Sequence, residues 1–65
     1  MKILVNGENR EVEATTLASA LEALHYGEAT VATALNGEFV PAQKRGATPV
    51  KDGDRIEVLA PRQGG

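Results

Sequence analysis

Residues 15–27, Thr-Thr-Leu-Ala-Ser-Ala-Leu-Glu-Ala-Leu-His-Tyr-Gly, form the clearest periodic stretch of the chain and decide its fold. Leu17, Leu21 and Leu24 recur at i, i+4 and i+7, which is the spacing of one face of an α-helix. The alanines between them are strong helix formers. The stretch therefore predicts one amphipathic helix whose leucine stripe packs against a sheet.

Both ends of this helix carry terminal signals. The hydroxyl of Thr15 or Thr16 can cap the first turn, and Gly27 is placed to end the helix as a left-handed C′ residue. His25 and Tyr26 precede that glycine. Because the chain has one histidine and no cysteine, we interpret both residues as structural rather than as metal ligands.

The segments before the helix predict a hairpin. Residues 1–6 contain the aliphatic run Ile-Leu-Val, typical of a strand that is buried on both faces and central in its sheet. Residues 6–9 have turn composition. Residues 10–13 alternate polar and apolar, as a half-buried strand does.

A second hairpin is predicted after the helix. Residues 31–35 read as a strand, Asn36-Gly37 is a strong signal for a two-residue hairpin turn, and residues 38–40 read as the returning strand. Pro41 has no N–H to offer a sheet, so it indicates a sheet edge or a strand end.

The remaining segments are a loop, a turn and a last strand. We interpret residues 42–48 as a solvated loop, with Lys44-Arg45 as a candidate contact for an acidic partner in the alternative. Residues 51–54 have the composition of a tight turn, which supplies too few oxygen ligands for calcium. Residues 55–60 alternate as a strand, with Ile56 and Val58 on the core face.

Composition limits the classes of function. Sixty-five residues make one domain with little core from which to build a deep pocket. The net charge of −2 lacks the basic excess that nucleic-acid binding requires. With no leader-like or long apolar run, secretion and a membrane span are not expected. We expect a cytoplasmic protein.

The element order strand, strand, helix, strand, strand, strand predicts an α+β fold of the ubiquitin-like β-grasp type, a mixed sheet of about five strands with one main helix on one face. We place the domain at residues 1–60 and a flexible tail at residues 61–65. The tail ends in Gln63-Gly64-Gly65, and two glycines form the thinnest peptide available. It can reach roughly 17 Å beyond the last strand. A frayed terminus is the alternative, but two terminal glycines are uncommon by chance, which favours a functional tail.

Residues 35–41, Leu-Asn-Gly-Glu-Phe-Val-Pro, and residues 51–65, Lys-Asp-Gly-Asp through Gly-Gly, resemble the ThiS family of bacterial thiamine-biosynthesis sulfur carriers. The resemblance extends over nearly the whole chain. It implies that a ThiF-type adenylating enzyme uses ATP and magnesium to activate the Gly65 carboxylate, and that a persulfide donor converts it to a thiocarboxylate. A ThiG-type thiazole synthase then accepts the sulfur.

On this resemblance the chain is a carrier and a protein substrate rather than an enzyme, and it binds no cofactor itself. Gly65 is the modified residue, and Gly64 keeps the tail slim. Arg62 and Gln63 add backbone hydrogen bonds inside the partner's channel, as an added strand does.

Affinity for the partner is expected to come mainly from the folded body, because ordering the tail costs roughly 1–2 kcal/mol per residue in backbone entropy. Phe39, Val40 and Leu59 are candidates for a partly exposed apolar docking face. Core packing is the alternative for each of them.

Three other functions stay open at the level of sequence. The same carrier chemistry could serve molybdopterin synthesis, tRNA thiolation or cysteine synthesis. The chain could be a ubiquitin-like modifier that forms an isopeptide bond through Gly65. It could also be an interaction module whose tail has no role.

Overall fold

The computed structural model describes residues 1–27 and 30–60, and this part of the chain contains five strands, one α-helix and one 3₁₀ helix. The strands form one mixed sheet in the order β2-β1-β5-β3-β4, in which only the β1–β5 pair is parallel. The predicted α+β architecture and element order are confirmed. The elements are β1 (Lys2–Val5), β2 (Glu8–Glu11), α1 (Leu17–Ala23), β3 (Ala32–Leu35), β4 (Glu38–Val40), the 3₁₀ helix (Ala42–Ala47) and β5 (Arg55–Leu59).

The N-terminal hairpin is confirmed, but with different bounds. Its turn consists of Asn6 and Gly7, whose φ angles of 51° and 84° match a two-residue type I′ turn. Strand β2 therefore begins two residues earlier than predicted. All four of its residues are exposed, so the predicted strand bounds of 10–13 are wrong. Val12, the apolar residue of that segment, is buried as its alternation predicted, but it lies directly after β2.

Strand β1 lies inside the sheet, but the prediction that it is central and buried on both faces is wrong. The middle strand is β5. Ile3 and Val5 are buried, whereas Leu4 is half-buried and Lys2 is exposed on the opposite face. The reason is that the single α-helix packs on one face of the sheet only.

Helix α1 is capped by Thr16 and not by Thr15, the other candidate. The Thr16 hydroxyl accepts a hydrogen bond from the Ser19 N–H at 3.2 Å, and the Ser19 hydroxyl accepts one from the Thr16 N–H at 3.1 Å. This is a capping box with serine in the place of the usual glutamate. The Leu17 N–H also donates to the Thr48 carbonyl at 2.8 Å, which ties the helix start to the segment before β5.

The C-terminal end of the helix differs from the prediction. The left-handed C′ residue is His25, with φ of 72°, and not Gly27. The His25 N–H donates to the Glu22 carbonyl at 3.0 Å, and the Tyr26 N–H donates to the Leu21 carbonyl at 2.8 Å. This pair of bonds is a Schellman motif. It places Tyr26 against the core, which explains why the chain turns before the glycine.

The core lies between α1 and one face of the sheet. The predicted leucine stripe is confirmed, since all three leucines are buried. Burying each large aliphatic side chain contributes about 1.5–3 kcal/mol. The buried hydrophobic residues are Ile3, Val5, Val12, Leu17, Ala20, Leu21, Leu24, Val40, Val50 and Ile56.

The second hairpin is confirmed with the predicted turn. Asn36 and Gly37 have φ angles of 52° and 88°, again those of a type I′ turn. Strand β4 lies at the edge of the sheet and pairs only with β3 among the described strands. Pro41 directly follows β4, as its missing N–H predicted.

Residues 42–48 are more structured than predicted, because Ala42–Ala47 form a 3₁₀ helix. Lys44 is exposed, but Arg45 is half-buried. The Arg45 guanidinium donates to the Thr33 hydroxyl at 3.0 Å and to the Val31 carbonyl at 2.6 Å. The solvated interpretation therefore holds for Lys44 and is wrong for Arg45, whose planar fork satisfies two acceptors on β3 and the residue before it.

The tight turn at residues 51–54 is confirmed. Asp54 is buried, and its carboxylate accepts from the Lys51 N–H at 2.8 Å and from the Asn36 side chain at 3.1 Å. The Asp52 carboxylate accepts from the Lys2 N–H at 2.7 Å. Both aspartates thus hold the turn and its neighbours together.

Candidate docking face and chain exit

The sheet has a second face, opposite α1, that no described element covers. Residues directly opposite each other in an antiparallel pair lie on the same face. Ala34 opposes Phe39 of β4 and Glu57 of β5, and Ala32 opposes Leu59 of β5. We call this surface the open face; it consists of Ala32, Ala34, Phe39, Glu57 and Leu59.

Two large apolar side chains project from the open face. Phe39 is 68% exposed and Leu59 is 71% exposed. Their strands lie two strand spacings apart, about 10 Å, and Leu59 is offset along its strand by two residues. Strand β3 between them contributes only alanines to this face. A shallow depression over these alanines is bordered by Leu59, Glu57 and the Asn6-Gly7 turn. Exposed apolar groups around a depression are typical of a protein-binding surface.

Val40 does not belong to this surface, so the predicted docking set is wrong for that residue. It is only 8% exposed and lies in the core, opposite Thr33. Successive residues of a strand point to opposite faces, so Phe39 and Val40 cannot both lie on the open face. That alternation is a signal by which the sequence could have separated them.

The described chain leaves the sheet beside the N-terminal hairpin. Strand β5 runs parallel to β1, so its C-terminal end lies where β1 turns into β2. Ala60 follows it as the last described residue of this segment. The predicted tail residues Arg62, Gln63, Gly64 and Gly65 lie outside the described residues. Their roles, the domain boundary after residue 60 and the flexibility of residues 61–65 stay predictions.

Asn6 is a residue at this exit that the sequence analysis missed. Its side-chain Nδ2 donates to the Val58 carbonyl at 3.2 Å, and its Oδ1 accepts from the Val58 N–H at 2.8 Å. Its own N–H donates to the Ile56 carbonyl at 3.0 Å. The sequence predicted a turn at Asn6. It did not predict that the Asn6 side chain contacts a strand residue 52 positions away.

Charged groups of both signs surround the apolar part of the sheet surface. Glu57 lies beside Ala34, and Arg55 pairs with Leu4 nearer to β1. At the start of β1, the Glu11 carboxylate lies 3.0 Å from the Met1 α-amino group. This hydrogen-bonded carboxylate raises the pKa of that amine.

The described residues, 1–27 and 30–60, contain no group of three or more histidine, cysteine, aspartate or glutamate side chains placed to hold a metal ion. The same residues contain no helix of the length and apolarity that crossing a bilayer requires.

Comparison with known proteins places the chain in a family. The sequence profile described as "ThiS family" matches residues 3–65. A curated relative, the sulfur carrier protein ThiS of Thermus thermophilus, is 38% identical over 63 residues, which cover 97% of this chain and 98% of that protein.

Two solved structures from Geobacter metallireducens are also similar. One is a crystal structure of the thiamine biosynthesis protein ThiS, with a TM-score of 0.83, 36% identity and full coverage of both chains. The other is a solution structure of a thiamine biosynthesis protein, with a TM-score of 0.80 and 35% identity, covering all of this chain and 88% of that one. The resemblance seen in the sequence and the β-grasp fold are thereby confirmed.

Proposed function

The chain belongs to the ThiS family of small sulfur carriers of thiamine biosynthesis, and on that premise we propose that it carries sulfur as a thiocarboxylate on Gly65. The sulfur is donated for synthesis of the thiazole moiety of thiamine. The observation that supports this most directly is the position of Leu59, an exposed residue of the open face, at the end of β5, the strand that precedes the Gly-Gly sequence.

The chemistry begins with a carboxylate, which is a poor electrophile. A carboxylate oxygen of Gly65 attacks the α-phosphorus of ATP in a ThiF-type enzyme, and magnesium pyrophosphate leaves. The terminal sulfur of a persulfide donor then attacks the carbonyl carbon of the acyl-adenylate, and AMP leaves. A thiol reduces the resulting acyl disulfide to the thiocarboxylate, whose soft sulfur is passed on within a ThiG-type synthase.

In this proposal the chain is a substrate of its partners and not an enzyme. ATP and magnesium act in the activating enzyme, and Gly65 supplies the reacting group. Arg62 and Gln63 pair with partner backbone in the channel as an added strand would. Gly64 leaves room there for the reacting carboxylate.

The open face supplies the affinity in this mechanism. Phe39 and Leu59 are already fixed by the sheet in the free protein, so docking them costs little additional backbone entropy. Aromatic anchors of this kind commonly dominate interface energetics. Ordering tail residues instead costs roughly 1–2 kcal/mol each, which is why the body rather than the tail is assigned the binding role.

The test combines the purified chain with a ThiF-type enzyme, ATP, magnesium, a persulfide donor and a thiol. Intact mass and sequencing of the C-terminal fragment would show replacement of one oxygen by sulfur at Gly65. No change, with the adenylating enzyme active on its own carrier, would contradict the proposal. Higher-mass conjugates in cells that require Gly64 and Gly65 would instead indicate a protein modifier.

A variant of Gly64 tests whether the tail must be slim to enter the partner's channel. Gly64→Ala adds a methyl group in the predicted tail, so we expect unchanged thermal unfolding and slower adenylation. Ala60→Gly, at the end of the described segment, is the control. It changes the flexibility of the chain without adding bulk to the tail. Equal adenylation rates for Gly64→Ala and the unmodified chain would argue against a narrow channel.

A further inference from the structure

Asn6 makes a contact that the family assignment does not explain. In a parallel strand pair, a residue bonds to two residues of the facing strand. Its N–H donates to the carbonyl of the first, and its carbonyl accepts from the N–H of the residue two positions further along. The Asn6 N–H makes the first of these bonds, to the Ile56 carbonyl. The second would join the Asn6 carbonyl to the Val58 N–H.

The backbone cannot make that second bond, because Asn6 has entered the turn. Its φ of 51° departs from the extended conformation and ends β1 at Val5. The side chain replaces the missing backbone group. Its Oδ1 takes the place of the carbonyl and accepts from Val58 at 2.8 Å, while its Nδ2 donates to the Val58 carbonyl at 3.2 Å.

We propose that Asn6 is a positioning residue that extends the pairing of β5 with the β1 side as far as Val58 and so sets the direction in which the chain leaves the sheet at Ala60, ahead of residues 61–65. The inference rests on the proposed function in one respect, namely that those residues must reach a partner's active site. The contact lies two residues before Ala60 and directly precedes Leu59 of the open face. It therefore couples the docking residue to the start of the tail.

The second Asn-Gly turn supplies a matched control. Asn36 has nearly the same φ, 52°, and its Oδ1 accepts from the Arg55 N–H at 2.9 Å. Its Nδ2 also donates to the buried Asp54. Asn36 thus holds the same strand by the same kind of side-chain bond, at the end that is remote from the tail.

The experiment compares Asn6→Gly with Asn36→Gly. Glycine accepts the positive φ of a type I′ turn, so each variant keeps its turn and loses only the side chain. Because Asn36 also binds Asp54, its loss should lower the melting temperature at least as much as the loss of Asn6. If Asn6 only stabilised the fold, Asn36→Gly would therefore slow adenylation of the tail at least as much as Asn6→Gly does.

The first readout is amide hydrogen exchange in the free protein. We expect the Val58 amide to exchange about tenfold faster or more in Asn6→Gly, relative to Asn36→Gly, because local opening follows the loss of local bonds. Unchanged protection of Val58 would overturn the inference. If Asn6→Gly does not fold at the temperature used, the unmodified chain provides the test: NMR should detect a scalar coupling across the hydrogen bond from the Val58 N–H to the Asn6 side-chain carbonyl, and its absence would overturn the inference.

The second readout is adenylation by a ThiF-type enzyme at a temperature where both variants are folded. We expect kcat/KM to fall roughly 5- to 20-fold for Asn6→Gly, mainly in kcat, since a misdirected reacting group lowers the productive fraction of bound complexes. Asn36→Gly should change it less than twofold. Equal values for the two variants would overturn the positioning role. Failure of the unmodified chain to be adenylated would instead count against the proposed function, and hydrogen exchange would still decide whether Asn6 holds Val58.

Discussion

The two faces of the five-stranded sheet use similar residue types for different purposes. On the face covered by α1, Ile56 and Val40 are buried and contribute to the hydrophobic core. On the open face, Phe39, which directly precedes Val40, and Leu59, which lies on the same strand as Ile56, are largely exposed. Strands β4 and β5 each contribute to both faces, so one short strand supplies stability on one side and a binding surface on the other.

Hydrophobicity alone therefore does not separate core residues from docking residues in so small a protein. The separation follows from the alternation of side chains along a strand and from which face the helix covers. It also predicts that substitutions of adjacent residues should affect different measurements. Variants on the two faces test that separation.

Ile56→Ala should destabilise the fold strongly, because Ile56 is nearly fully buried on the middle strand. Core truncations of this type cost about 2–5 kcal/mol, a large part of the stability of a domain of this size. Chemical denaturation followed by circular dichroism would measure the loss. Glu57→Ala, the next residue on the open face, should change stability by less than about 0.5 kcal/mol, and equal losses for the two would contradict the assignment of faces.

Phe39→Ala should weaken docking without unfolding the protein. Removing an aromatic anchor from an interface typically costs more than 1 kcal/mol, so the KM for adenylation by a ThiF-type enzyme should rise about tenfold, with an unchanged melting temperature. Val40→Ala is the matched control and should show the opposite pattern, a lower melting temperature with nearly unchanged KM in the folded state. If Phe39→Ala unfolds at a much lower temperature, Phe39 belongs to the core and not to the docking face.

Arg45→Met should destabilise the covered side moderately. The substitution keeps most of the side-chain length but removes the donors to the Thr33 hydroxyl and the Val31 carbonyl. We expect a loss of about 1–2 kcal/mol in the free energy of unfolding. Lys44→Met, at the exposed neighbouring position, should be neutral to within about 0.5 kcal/mol. A neutral Arg45→Met would show that the guanidinium contacts contribute nothing to stability.

Glu11→Gln should have the smallest effect, and it should depend on pH. In the folded protein the Glu11 carboxylate raises the pKa of the Met1 α-amino group above its ordinary value of about 8. The resulting stabilisation is therefore fully present below about pH 8 and is lost as the pH rises through the folded-state pKa. Melting temperatures of the two proteins should differ slightly at pH 7 and converge at higher pH. A difference that stays constant across this range would show that the ion pair is not its source.

Much of the fold could be predicted from local patterns. The leucine spacing identified the helix, Asn36-Gly37 identified the second hairpin, and the alternation at residues 55–60 identified the last strand. The site was predicted in part. Phe39 and Leu59 are exposed as a docking face requires, whereas Val40 is in the core. The functional roles of residues 62–65 depend on the family assignment and lie outside the described residues.

The sequence by itself determined the elements and their order, because helix periodicity, strand alternation and turn chemistry act between residues close along the chain. Only the tertiary structure decided how β1 is buried, and it showed that Arg45 binds β3 and that Asn6 holds β5. The last two contacts join residues 12 and 52 positions apart. The physical reason is that such bonds depend on which backbone groups the folded sheet leaves unpaired, and no local pattern in the sequence specifies those groups.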